Sequence, residues 1–168
     1  ARPETKFPWT PAVARAAQTD GNLIYNHSFD WADSDARVSN DASHIDGTVN
    51  SAYWTIYKTD GVANISNDSS NGNALKTEIS NAGSVNYAIQ VRQDGIHIET
   101  GKKYEISFDA WASAPRTAMI KVGGGPDRGY AAYSGEQTVS IGATKERKTL
   151  TFDMAGLTDA AARLEFNL

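Results

Sequence analysis

Lys102-Lys103-Tyr104-Glu105-Ile106-Ser107-Phe108-Asp109-Ala110-Trp111-Ala112-Ser113 alternates apolar and polar residues more cleanly than any other stretch of this chain. Tyr104, Ile106, Phe108, Ala110 and Ala112 share one side and Lys103, Glu105, Ser107, Asp109 and Trp111 the other, the period of two that marks a strand with one buried face. Glu99-Thr100-Gly101 before it and Ala114-Pro115 after it are turn chemistry, so the strand is bounded at both ends.

Working outward, the same reading predicts short strands at Leu23 to Phe29, Tyr53 to Tyr57, Val62 to Ser66, Ala74 to Ser80 and Tyr87 to Arg92. It predicts more at Thr117 to Val122, Gln137 to Ile141, Lys148 to Met154 and Ala162 to Leu168. Leu23, Tyr25 and Phe29 are expected to face inward. The connectors Thr59-Asp60-Gly61, Asn71-Gly72-Asn73, Asn81-Ala82-Gly83, Asp94-Gly95 and Gly123-Gly124-Gly125-Pro126-Asp127 carry turn residues. Many short strands with such punctuation predict an all-β sandwich or jelly roll of two antiparallel sheets. Trp31 to Asn50, rich in Asp, Asn and Ser, reads as a long loop. Residues 1–21, with Pro3, Pro8 and Pro11, read as a linker or N-terminal tail that Phe7 and Trp9 anchor on the domain surface, leaving 22–168 as one domain.

At 168 residues the chain is long enough to bury a core without staples. It has no cysteine, which excludes disulfide and thiolate chemistry and fits an exported bacterial protein or a cytosolic one. A net charge of -4 with scattered Lys and Arg argues against nucleic acid and anionic membrane as partners. No apolar run approaches the roughly 20 residues that span a bilayer. The sequence opens without Met or a charged-then-apolar leader, as in a secreted protein whose signal peptide has been removed.

Read from Asn22 onward, the sequence resembles the carbohydrate-binding modules of the family 4 and 9 type, β-jelly-rolls attached to polysaccharide hydrolases. The residues that carry the likeness are Asn22-Leu23-Ile24-Tyr25-Asn26-His27-Ser28-Phe29-Asp30, Trp54-Thr55-Ile56-Tyr57, Gly72-Asn73-Ala74-Leu75-Lys76, Tyr87-Ala88-Ile89-Gln90, Glu99-Thr100-Gly101-Lys102 and Arg163-Leu164-Glu165-Phe166-Asn167-Leu168. The resemblance implies a concave glycan-binding face, a secreted monomer, an attached catalytic domain and a structural Ca2+ with Asp30 as one ligand. It also implies one more strand, with an Ile-Asp-Asn-like motif and a calcium ligand, after the alternation that runs to Leu168.

The residues left over once the core is assigned suggest the same chemistry. With Trp54 and Ile56, Ile89 and Val91, Ala118, Ile120 and Val122, and Leu164, Phe166 and Leu168 inside, Tyr57, Gln90, Arg92, Met119, Lys121, Arg163, Glu165 and Asn167 point away. If these strands share a sheet, its outer face offers an aromatic plane for sugar C–H groups and amides and ions for hydroxyls. Tyr57 and Tyr87 are the stacking candidates, although Tyr87 can equally pack inward beside Ile89. Gln90 and Asn167 match positions where the resembled modules hydrogen-bond the glycan. Arg92, Lys121, Arg163 and Glu165 read equally as a surface ion-pair network of little worth. Either Tyr130 or Tyr133, on the glycine-rich loop, is expected to complete the clamp. Trp111 is expected under a loop or the Phe7/Trp9 tail, and Trp31 as a rim platform or a loop anchor.

Metal and catalytic signals are weak. His27, His44 and His97 lack paired spacing for zinc, and Asp30, Asp33 and Asp35 lack the glycine and terminal Glu of an EF-hand loop. A glycosidase needs two carboxylates about 5 to 10 Å apart across a cleft; the strip offers Glu165, with Asp127 and Glu136 on nearby loops. No Gly-x-Ser-x-Gly nucleophile motif occurs. The expected function is therefore non-catalytic binding of β-linked glucan or xylan chains, targeting a tethered hydrolase. The rivals are a jelly-roll lyase or hydrolase and a ligand-free spacer.

Overall fold

A computed structural model describes residues 15–32, 37–39 and 49–168. Among the described residues ten strands form two layers: β1 Arg37–Ser39, β2 Thr55–Lys58, β3 Val62–Asp68, β4 Ala74–Asn81, β5 Ile89–Ile98, β6 Lys103–Ala110, β7 Arg116–Gly123, β8 Gln137–Ile141, β9 Glu146–Asp153 and β10 Asp159–Asn167. One layer is a six-stranded sheet in the order β1-β2-β5-β10-β7-β8; the other consists of the antiparallel pairs β3-β4 and β6-β9. Within the six-stranded sheet only the β1-β2 pair is parallel, and the non-sequential order is that of a jelly roll.

The period-two reading of the inner face holds across the sheet. Ile56, Val91, Phe166 and Ile120 lie side by side in one register row, and Leu164 sits opposite Val122. From the other layer, Tyr104 and Phe152 stack at 5.4 Å, and Phe108 meets Phe166 edge-on at 5.1 Å. Such aromatic pairs add about 0.5–1.5 kcal/mol each beyond the area they bury. Phe166 and Leu168 also pack on a second cluster of Val49, Trp54, Ile56 and Val91, which β3-β4 covers through Ile65 and Leu75. No ladder joins β4 to β6 among the described residues. A cavity of about 2570 Å³ lies there, with β4 residues such as Leu75 and Ile79 on one side, β6 residues on the other, and Phe166 within.

Three readings of local structure differ. Leu23 to Phe29 is not a strand: Tyr25 to Ser28 form a turn, with Asn26 and Phe29 at φ 50° and 51°. The cause is the Asn26 side chain, which replaces a strand ladder with bonds of its own. Its Oδ1 accepts from the Asp30 and Trp31 amides, and its Nδ2 donates to the carbonyls of Trp31, Asn50 and Ala52. The expected strand start at Tyr53 is likewise a left-handed residue, at φ 70°. Asp94-Gly95 is not a connector but lies within β5, where the register with β10 shifts. An Asp-Gly pair with glycine at positive φ serves a hairpin turn or a bulge equally well, and only pairing on both sides distinguishes them.

The long loop after Trp31 contains β1, and Trp31 itself is buried against Tyr53 at 6.0 Å, so it anchors the loop rather than forming a rim. Residues 15–21, read as tail, lie against the domain. The Arg15 amide donates to the Gly95 carbonyl, and its guanidinium donates to Gln93 and to the Asp94 carbonyl while lying over the rings of Tyr25 and Tyr53. Phe7, Trp9, Asp33, Asp35 and His44 lie outside the described residues.

Asn26→Ala removes one side chain that satisfies five buried or half-buried backbone groups. Urea denaturation is expected to show a loss of about 3 kcal/mol or more, whereas a loss within about 0.5 kcal/mol would mean that water replaces those bonds freely.

Candidate functional site

Antiparallel partners opposite one another project to the same side of a sheet, so the register defines the strip without further assumption. Tyr57, Gln90, Asn167, Met119 and Thr138 form one row across β2, β5, β10, β7 and β8. Thr55, Arg92, Glu165 and Lys121 form the next, and Arg163 sits opposite Gly123 beyond them. The side chains assigned to the outer face by parity therefore do share a wall, with Thr55 added.

The strip is not an ordinary solvated face. Gln90 is 3% exposed, Asn167 2%, Glu165 2% and Lys121 7%. Gln90 Nε2 donates to Asn167 Oδ1 at 2.8 Å, Asn167 Nδ2 to the Met119 carbonyl at 3.3 Å, and an Arg92 Nη to Gln90 Oε1 at 3.1 Å. Arg92 Nε lies 2.7 Å from Asp94 Oδ1. Arg163 Nε donates to Glu165 Oε1 at 2.5 Å, with Lys121 Nζ 3.8 Å from the other carboxylate oxygen. The ion pairs read as surface contacts are thus buried. Their worth lies in holding geometry, since removing one member of such a pair leaves an uncompensated charge.

Two tyrosines flank this floor. The Arg92 guanidinium lies 5.8 Å from the ring centre of Tyr57, and that of Arg163 lies 5.3 Å from Tyr130. Tyr130 is 54% exposed and adopts φ 56° directly after Gly129 at 59°. A left-handed non-glycine residue costs about 1–2 kcal/mol, so the loop is held in place by its other bonds. Within it the Gly124 amide donates to the Ala131 carbonyl and the Tyr130 amide to the Gly125 carbonyl, and Lys121 Nζ donates to the Tyr130 carbonyl at 3.0 Å. Gly123 permits this close approach: a Cβ there would come within 2.6 Å of Lys121 Cε and closer still to the Ala131 carbonyl oxygen.

Other candidates are placed elsewhere. Tyr133 packs on the main core and donates to Asp159 Oδ2 at 2.7 Å. Burial pushes its phenol pKa up, and the Asp159 carboxylate pushes it further, so the hydroxyl stays a donor. Tyr87 lies in the turn before β5 rather than on a strand, with its ring exposed, so strand parity does not govern its direction. Trp111 is capped by Lys145 from the β8-β9 loop at 5.3 Å. Asp30 is exposed, and no group of three His, Cys, Asp or Glu gathers among the described residues. Asp94 and Thr55 were not singled out by sequence; the Arg92-x-Asp94 spacing was the available signal for the first.

The chain belongs to the carbohydrate-binding domain family of combined type 4 and 9, whose model matches residues 21–168. Among solved structures it is similar to one described as "CBM4 structure and function", at 26% identity and a TM-score of 0.64, over 86% of this chain and 88% of the other. A second, "BiXyn10A CBM1 APO", shares 20% identity at a TM-score of 0.47, over 68% of this chain and 92% of its own. Comparison with curated proteins gives no match.

Glu165→Ala leaves the buried Arg163 and Lys121 without their shared carboxylate. A loss of about 3–5 kcal/mol in chemical denaturation is expected; a neutral result would show those cations to be solvated already.

Proposed function

We propose that this domain binds single chains of β-linked polysaccharide, glucan or xylan, along the floor between Tyr57 and Tyr130, and performs no chemistry on them. The observation that carries the reading is the register row Tyr57, Gln90, Asn167 and Met119 with its buried amide pair. A ring has two faces, and the guanidinium over each tyrosine leaves the opposite one for the C–H face of a pyranose. Gln90 and Asn167 bond each other with one donor and one acceptor, and each amide keeps further valences for hydroxyls. Because both amides are already ordered, little side-chain entropy remains to be lost on binding.

The non-catalytic reading is supported by the state of the carboxylates. Glu165 is tied to Arg163 and Lys121, and Asp94 to Arg92, so neither is placed as a free acid or nucleophile. In the proposed setting the domain is extracellular and tethered to a glycoside hydrolase, raising the enzyme's local concentration at its substrate.

Affinity electrophoresis against cello-, xylo-, laminari- and manno-configured polymers tests the reading, and retardation by none of them would refute it. Tyr57→Ala is expected to weaken binding at least roughly tenfold, about 1.4 kcal/mol, with an unchanged melting temperature. Tyr130→Ala is expected to weaken binding likewise, whereas Tyr133→Phe lowers stability and leaves affinity as it was. Equal affinities for wild type and Tyr130→Ala would move the clamp away from this loop. New reducing ends or unsaturated sugars on incubation with the same polymers would make the protein an enzyme.

A further inference from the structure

We propose that the Arg163 end of the floor recognises a carboxylate on the bound polymer, so that the preferred ligand is an acidic chain, a β-linked xylan or glucan carrying uronic acid units. This rests on the reading of the face as a glycan groove and deepens it.

The donor inventory of Arg163 decides what this end can hold. A guanidinium has five N–H groups in a fixed plane. The one on Nε is used by Glu165 Oε1 at 2.5 Å, and no described residue bonds either Nη. Glu165 is itself buried and shared with Lys121, so it holds Nε in place. The Tyr130 ring lies 5.3 Å from the guanidinium carbon and fixes the plane from one side. What remains is the pair of Nη ends, pre-oriented as the fork that a carboxylate engages with two parallel bonds.

Charge points the same way. Arg163 and Lys121 carry two positive charges against the single negative charge of Glu165, leaving one positive charge in excess at this end. At the other end Arg92 and Asp94 cancel. A neutral sugar hydroxyl can accept one bond from the fork but neutralises nothing. A uronate fills both positions and balances the excess, and it does so beside a buried floor where screening by water is reduced.

The arrangement of Tyr130 fits this role. The Lys121 bond to its carbonyl fixes the Tyr130 backbone in spite of its left-handed conformation, and from there the ring flanks Arg163.

The test compares a glucuronic-acid-bearing xylan, the same polymer after reduction of its carboxyl groups to primary alcohols, and a neutral β-glucan, by calorimetric titration at low ionic strength. Wild type is expected to bind the acidic xylan at least roughly tenfold more tightly than its reduced form, with the difference shrinking as salt is added. Arg163→Gln is expected to lower affinity for the acidic polymer to the level that wild type shows for the reduced one. Equal wild-type affinity for the acidic and reduced polymers overturns the carboxylate assignment and leaves the groove intact. Binding of none of the three overturns the groove as well. Retention of the acidic preference by a folded Arg163→Gln, checked by its melting curve, removes Arg163 from the role. The wild-type comparison of the two xylans decides the matter even if that variant fails to fold.

Discussion

The position of β10 between β5 and β7 is the constraint on which the rest of this molecule depends. Its alternation puts Leu164 and Phe166 inside and Arg163, Glu165 and Asn167 outside, and a slip of one residue against either neighbour would exchange those faces. Phe166 is the inner anchor: it touches Phe108 from the opposite layer and Trp54 just before β2. Register at Phe166 therefore sets, two Cα steps at most away, where Glu165 and Asn167 stand on the floor.

That coupling explains how a polar surface comes to be buried on the outside of a sheet. Adjacent strands bring Gln90 against Asn167 and Glu165 against Arg92 and Lys121 at cross-strand spacing, where long side chains cover one another. Arg92 and Arg163 then lie over the tyrosines, so their stems roof the strip while their heads stay polar. The result is a floor whose hydrogen bonds are made before any ligand arrives. In the binding role proposed above, such preorganisation would favour affinity, because ordering costs are met on folding.

The second layer is built more loosely. Among the described residues the two antiparallel pairs are joined to the broad sheet by side-chain packing rather than by a shared ladder, and inner residues of β3 and β4 such as Ile65, Leu75 and Ile79 are only half-buried. The cavity between β4 and β6 opens on the core side of the broad sheet, opposite the polar floor. It is lined in part by Phe166 and Leu168, so the core that fixes β10 borders this opening directly. The outer polar side and the core-facing side of one strand are thus under different demands, polar satisfaction on the first and apolar coverage on the second.

Sequence alone determined which side chains share a face. Period two is a property of the extended backbone, so Tyr57, Gln90, Lys121 and Asn167 could be assigned together before any strand was paired, and nine strands were placed within a few residues of where they stand, β5 running on through its bulge. Asn26 escaped that reading because its side chain makes bonds to residues as distant as Ala52, which no local pattern reveals. Only the tertiary structure decided that the floor is buried, that Tyr130 rather than Tyr133 stands beside it, and that Arg163 keeps its Nη ends unbonded while Glu165 holds its Nε. Faces follow from the chain's own geometry, whereas burial and hydrogen-bond partners depend on strands far apart in sequence arriving side by side.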